Sequence, residues 1–184
     1  MRGGNREKGR GNLRQCIRDT NSSKKLAKRK LKKKMQDKIY INTGLKGFLL
    51  LDRITKSEKS EITGRKNFAD APFYLGLESL AQLGACHVRF LTGFTKHAFL
   101  LKVNRCLMPE KRILNGEYML YGRLSGQSLS AFSYILQVKK GGDLWIKGEF
   151  LYGLVDYDTN FKKKLLQNHY QKILSCLQSG SKTD

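Results

Sequence analysis

One segment constrains this chain more than any other. From Pro72 to Leu91 it reads PFYLGLESLAQLGACHVRFL, the one long helical pattern in its middle. Leu77, Leu80, Ala81, Gly84, Ala85 and Val88 recur at spacings of three and four, so they share one helix face. Pro72 sits where a helix entry tolerates it, and Thr92-Gly93 ends the pattern. Half of that face is Gly or Ala. Small residues let a helix approach its neighbours closely, as it must if a sheet wraps around it. Strand candidates flank it on both sides. Gly47–Ile54 and Glu61–Phe68 come before, separated by the polar turn Lys56–Ser60. Ala98–Asn104, Glu117–Leu124, Ser130–Lys139 and Leu144–Val155 come after, with Ser125-Gly126-Gln127 and Lys140-Gly141-Gly142-Asp143 as hairpin-type punctuation. Asn160–Gln178 closes the chain with Phe161, Leu165, Leu166, Ile173, Leu174 and Leu177 on a helical period. Hairpin-linked strands set apart from a helix give an α+β layout. The economical way to bury both is a curved antiparallel sheet around a long central helix. The C-terminal amphipathic helix then docks on the sheet edge or on a partner.

The charge is unevenly placed. The 184 residues carry 36 Lys/Arg against 15 Asp/Glu, a net of +21. Residues 1–34 alone hold 14 Lys/Arg and two acids, and eight of the eleven residues from Lys24 to Lys34 are basic. Their apolar periodicity is poor, so residues 1–38 are expected to be a basic, disordered extension. Such a leader is solvated, or binds nucleic acid or an acidic protein, or lies upstream of a working segment that starts near Met35. An organelle transit peptide fits less well, for want of an apolar face. Residues 39–158 form the expected globular domain and 159–184 the C-terminal helix and tail. No run of about 18 apolar residues appears, so no membrane span is expected. The four cysteines are far apart with no Cys-x-x-Cys pair, which disfavours a disulfide framework and points to a reducing, cytoplasmic setting. No metal spacing and no phosphate-cradling glycine motif is present, so neither a metal nor a cofactor is expected.

Several short elements carry a resemblance. Leu49-Leu50-Leu51-Asp52-Arg53-Ile54 lies ahead of Lys66-Asn67, and then comes Gly76-Leu77-Glu78-Ser79-Leu80-Ala81-Gln82. In that order they resemble the hotdog-fold 3-hydroxyacyl-acyl-carrier-protein dehydratases. Phe99–Arg105, Gly116 and Gly148-Glu149-Phe150-Leu151-Tyr152 resemble later parts of the family pattern, so the likeness covers about residues 45–157. It implies a single hotdog domain, dimeric as a homodimer or with a related hotdog subunit, because sites in this fold form between subunits. It implies an acyl carrier protein or acyl-CoA as partner, and a (3R)-hydroxyacyl-thioester dehydratase of fatty acid or related lipid or polyene synthesis. The chain departs from the family where enzymes carry a catalytic His in a Gly-His-Phe-Pro-Gly loop. Here Asn67–Tyr74 is shorter and has no His. That version looks more like the divergent dehydratase-like subunits of aryl-polyene-type pathways. What carries over is acyl-thioester binding, with a partner subunit as the expected source of a His.

Dehydration of a 3-hydroxyacyl thioester needs a base for the C2 proton, an acid for the leaving hydroxyl and donors for the thioester carbonyl. Glu78 is the expected acid–base residue. It is read in the first helical turn, where the dipole favours its carboxylate and where cover by the sheet would raise its pKa. A capping charge is the bland alternative. Gln82 lies one turn on, placed to orient Glu78 or to make an ordinary polar contact. Backbone N–H groups near Gly76 and Leu77 are expected to hold the thioester oxygen. Asp70 and Tyr74 complete the expected substrate contacts. His87 is out of phase with Glu78, His97 lies in the loop before a strand, and His169 reads as a surface residue. The sheet aromatics Tyr118, Tyr121, Phe132, Tyr134, Trp145, Phe150 and Tyr152 read as core, or as the lining of an acyl tunnel. Arg53, Arg65, Lys66, Lys102, Arg105 and Arg123 are solvated charges or contacts to a phosphopantetheine phosphate or an acidic carrier. Two further functions fit the same residues: a hotdog acyl-thioesterase with Glu78 activating water or attacking the carbonyl, and a non-catalytic acyl- or nucleic-acid-binding protein.

Overall fold

The computed structural model describes residues 49–108, 113–159 and 161–179. The basic extension lies outside these residues. Six strands, β1 (Arg53–Ser57), β2 (Glu61–Pro72), β3 (His97–Leu107), β4 (Ile113–Gln127), β5 (Ala131–Lys140) and β6 (Asp143–Val155), form one antiparallel sheet in the order β1-β2-β4-β5-β6-β3. Two helices complete it, α1 (Tyr74–Leu91) and α2 (Lys163–Ser179). The layout is α+β.

Alternation sets the sheet. Along β5 every second residue, Phe132, Tyr134, Leu136 and Val138, is buried, while their neighbours face out. The same period buries Tyr118 and Leu120 on β4 and Ile146, Phe150 and Tyr152 on β6. These side chains meet α1, which packs against β2, β3, β4, β5 and β6. Small residues on α1 set how closely it lies. A Cβ on Gly84 would stand 2.2 Å from the Tyr152 hydroxyl, and one on Gly76 would stand 2.7 Å from Ile146 Cδ1. Tyr152 in turn donates a hydrogen bond to the Ala81 carbonyl at 3.0 Å. Leu174 and Leu177 of α2 are buried, and α2 lies against β1 and α1.

Four local expectations are corrected. The expected long central helix is not evident: α1 has 18 residues, about 27 Å by its rise. Pro72 does not enter it. Pro72 closes β2 opposite Ile113, and Phe73 is the helix N-cap. β2 runs past Phe68 through a bulge in which Asp70 takes a left-handed φ of 47°. The first strand starts at Arg53 rather than ahead of it. Leu50 and Leu51 are both buried, which a half-buried strand's alternation cannot do.

Candidate functional site

Glu78 is the fifth residue of α1, so no acid stands in its first turn. The expected help from the helix terminus is correspondingly reduced, because that field fades within a turn. Its position is fixed by side chains instead. Gln82, one turn on, donates from Nε2 to Glu78 Oε1 at 3.1 Å. Gln82 Oε1 accepts the Leu50 backbone N–H at 2.8 Å. The segment before β1, 32 residues upstream, therefore holds the Gln82 amide with its donor end toward the carboxylate. Both side chains are half-buried. Leu50 has no side-chain chemistry to mark it, so sequence reasoning missed it.

The other expected site residues fall differently. Gly76 is buried, and its N–H already donates to the Phe73 carbonyl at 2.9 Å, so it is not a free donor for a thioester oxygen. Its lack of a side chain serves the approach to Ile146 and Leu114. Leu77 is half-buried and packs on the core. Tyr74, the first residue of α1, is 56% exposed and sets its ring edge-on to Phe73. Asp70 is exposed on the β2 bulge. The structure thus brings together Glu78, Gln82 and Leu50, and leaves Asp70 on the β2 bulge and Tyr74 at the start of α1, both exposed.

None of the histidines is set beside that carboxylate by its observed contacts. His87 is fully buried; its Nε2–H donates to the Glu58 carbonyl at 2.5 Å and its Nδ1 accepts the Tyr134 hydroxyl at 2.9 Å. Burial lowers its pKa, which keeps it neutral in that bridging role. His97 opens β3 rather than a loop. Its ring stacks on Phe161 at 4.6 Å and Tyr170 at 5.9 Å, and burial, then the Arg89 cation, lower its pKa. His169 is half-buried on α2, not a surface residue, with its pKa lowered first by burial. Burial pushes the Cys86 thiol up, away from thiolate chemistry. Among the described residues no three His, Cys, Asp or Glu side chains gather as metal ligands.

The residues that carried the resemblance also have structural work. The Asp52 carboxylate accepts Lys66 Nζ at 2.6 Å and the Asn67 N–H at 2.7 Å, which ties the segment before β1 to β2. Lys66 is therefore engaged within the fold. Arg65 and Arg105 pair with Glu117 at 3.6 Å and Glu149 at 3.7 Å. The sheet aromatics are core, except for Tyr121 on the outer face and the half-buried Trp145.

Solved structures share this fold. The dehydratase heterocomplex ApeI:P from Xenorhabdus doucetiae matches with a TM-score of 0.54 at 11% identity, over 65% of this chain and 90% of that one. A conserved protein of Pseudomonas aeruginosa matches at 0.51 and 13%, over 65% and 98%. A mutant thioesterase from the same organism matches at 0.50 and 13%, over 56% and 81%. The fold is a hotdog fold. No family model matches the chain, and no curated protein does. Among the described residues no helix is long and apolar enough to cross a membrane.

Proposed function

We propose that this chain acts on acyl thioesters, with Glu78 as its acid–base group and Gln82 as the residue that positions it. The observation that carries this reading is the relay from the Leu50 N–H through the Gln82 amide to Glu78. A carboxylate held by a side chain that is itself held by backbone is preorganised, as a proton-transferring group needs to be. The first form of the reading is a dehydratase-like subunit that handles 3-hydroxyacyl groups on a carrier protein or on coenzyme A. In that form Glu78 supplies one of the two proton-transfer groups and a related hotdog subunit supplies the other. The heteromeric dehydratase among the similar structures supports it. So does β3, an edge strand with Leu100, Leu101 and Leu107 exposed, which suits pairing with a second hotdog chain. The second form is a thioesterase, favoured by the occupation of His87 within the core and of His97 in an aromatic cluster. Hydrolysis by one carboxylate that activates water needs no His.

The test uses the purified 184-residue chain with a 3-hydroxyacyl-carrier protein and the matching saturated acyl thioester, and follows acyl masses. Loss of water from the first supports the dehydratase form. Free acid from the second supports the thioesterase form. Carrier binding without turnover supports the incomplete-subunit form, and neither binding nor turnover refutes the reading.

A further inference from the structure

The outer face of the sheet, away from α1, carries its own arrangement. Cross-strand register puts Thr63, Tyr121, Gln137 and Lys147 in one row across β2, β4, β5 and β6. Glu61, Arg123, Ile135 and Glu149 form the row beside it. All of these residues except Glu149 line a recess of about 220 Å³, Glu61 included. The acids of this face are taken. Glu61 pairs with Lys56, Glu117 with Arg65 and Glu149 with Arg105. Arg53, Arg123 and Lys147 have no ion-pair partner among the described residues, and Lys139 sits 5.3 Å above the Tyr121 ring. Arg53 also stands directly opposite Arg65, whose own anionic partner is Glu117. The face is therefore net positive, with a part-exposed aromatic ring and a primary amide at its centre.

We propose that this outer face binds single-stranded nucleic acid, with a base stacked at Tyr121, its edge met by Gln137 and Thr63, and flanking phosphates on Arg123 and Lys147. Charge complementarity selects a polyanion. The recess selects a nucleic acid over an acidic protein surface, because a flat ring flanked by cations and an amide suits a stacked base between phosphates. A β-sheet face is open to splayed bases and too broad to enter a duplex groove. The eight basic residues between Lys24 and Lys34 supply a second, sequence-tolerant cation run in the same chain. This site is on the opposite side of the sheet from α1, so it stands or falls separately from the thioester reading.

The test measures fluorescence anisotropy of short labelled RNA and DNA, single- and double-stranded, with the full chain over a salt series. Single-stranded probes should bind more tightly than duplex. R123Q/K147Q should reduce the slope of log affinity against log salt by about 1.4, since each phosphate contact on a single strand contributes about 0.7. Tyr121→Leu should weaken binding about tenfold with the slope unchanged. All three side chains lie on the outer face, and circular dichroism checks that the fold is kept. Unchanged affinity and slope in all these variants would overturn the proposal and leave binding to the Lys24–Lys34 run. Preference for duplex, or equal binding of polyglutamate, would overturn it too.

Discussion

Gly84→Ala separates two opposed forces inside α1. Replacing a mid-helix glycine by alanine favours the helix by about 1 kcal/mol. Packing opposes it, because the new Cβ would stand 2.2 Å from the Tyr152 hydroxyl and 2.6 Å from Cζ. Tyr152 cannot swing aside cheaply. It is fully buried, its ring meets Tyr134 edge-on at 5.7 Å, and its hydroxyl bonds the Ala81 carbonyl. Overpacking a tight core costs about 1–3 kcal/mol. Displacing the hydroxyl strands a buried donor, which costs about 1–3 kcal/mol more. The net expectation is a loss of about 3 kcal/mol, or about 6–12 °C in Tm for a chain of this size. Urea and thermal unfolding of wild type and Gly84→Ala measure it. The double variant Gly84→Ala/Tyr152→Leu should show a smaller loss than the two single variants summed, since the offending ring is gone. A Gly84→Ala protein as stable as wild type, or more stable, would refute the claim that this contact sets the helix-to-sheet distance.

Two further outcomes follow from the same packing. His87, His97 and His169 all have folded pKa values lowered chiefly by burial. The unfolded chain therefore binds more protons below about pH 6.5, and stability should fall as pH drops through that value toward the lower folded pKa values. Urea midpoints that rose on acidification from about pH 7.5 to about pH 5.5 would contradict this. Arg89 clamps α2: its guanidinium carbon lies 3.8 Å from the Tyr170 ring centre and its Nη2 donates to the Ala98 carbonyl at 2.7 Å. Arg89→Met should speed amide exchange across α2 about tenfold, the scale of one cation–π contact and one hydrogen bond, while β5 keeps its protection. Unchanged exchange in α2 would remove the clamp from the account.

Local signals reached far into this fold. The α1 pattern, read from Pro72 to Leu91, formed as Tyr74–Leu91, because three- and four-residue spacing is a local property. The four later strands were readable from alternation and Gly-rich turns for the same reason. The first strand was misplaced because Leu50 and Leu51 are buried through long-range contacts, including the bond from Leu50 to Gln82. The candidate site divides along the same line. Glu78 and Gln82 at i and i+4 could be paired from spacing alone, whereas the Leu50 N–H that fixes them depends on a tertiary fold. The role of Gly76 changed because its neighbours Ile146 and Leu114 are far away in sequence. His87 likewise meets Glu58 and Tyr134, 29 and 47 residues away, and no helical phase could show that.

The central claim is that Glu78 performs chemistry on a thioester rather than serving as a helix charge. Glu78→Gln tests it most directly, since the amide keeps the shape and loses the proton transfer. Both proteins are given the acyl thioester that the wild type converts, with the candidate partner subunit present if turnover requires one. The account predicts turnover at least 100-fold lower in the variant, with thioester binding and unfolding midpoint retained, as expected for removal of a general acid–base group. Turnover equal to wild type would contradict it, and so would a wild-type chain that neither binds nor converts any acyl thioester.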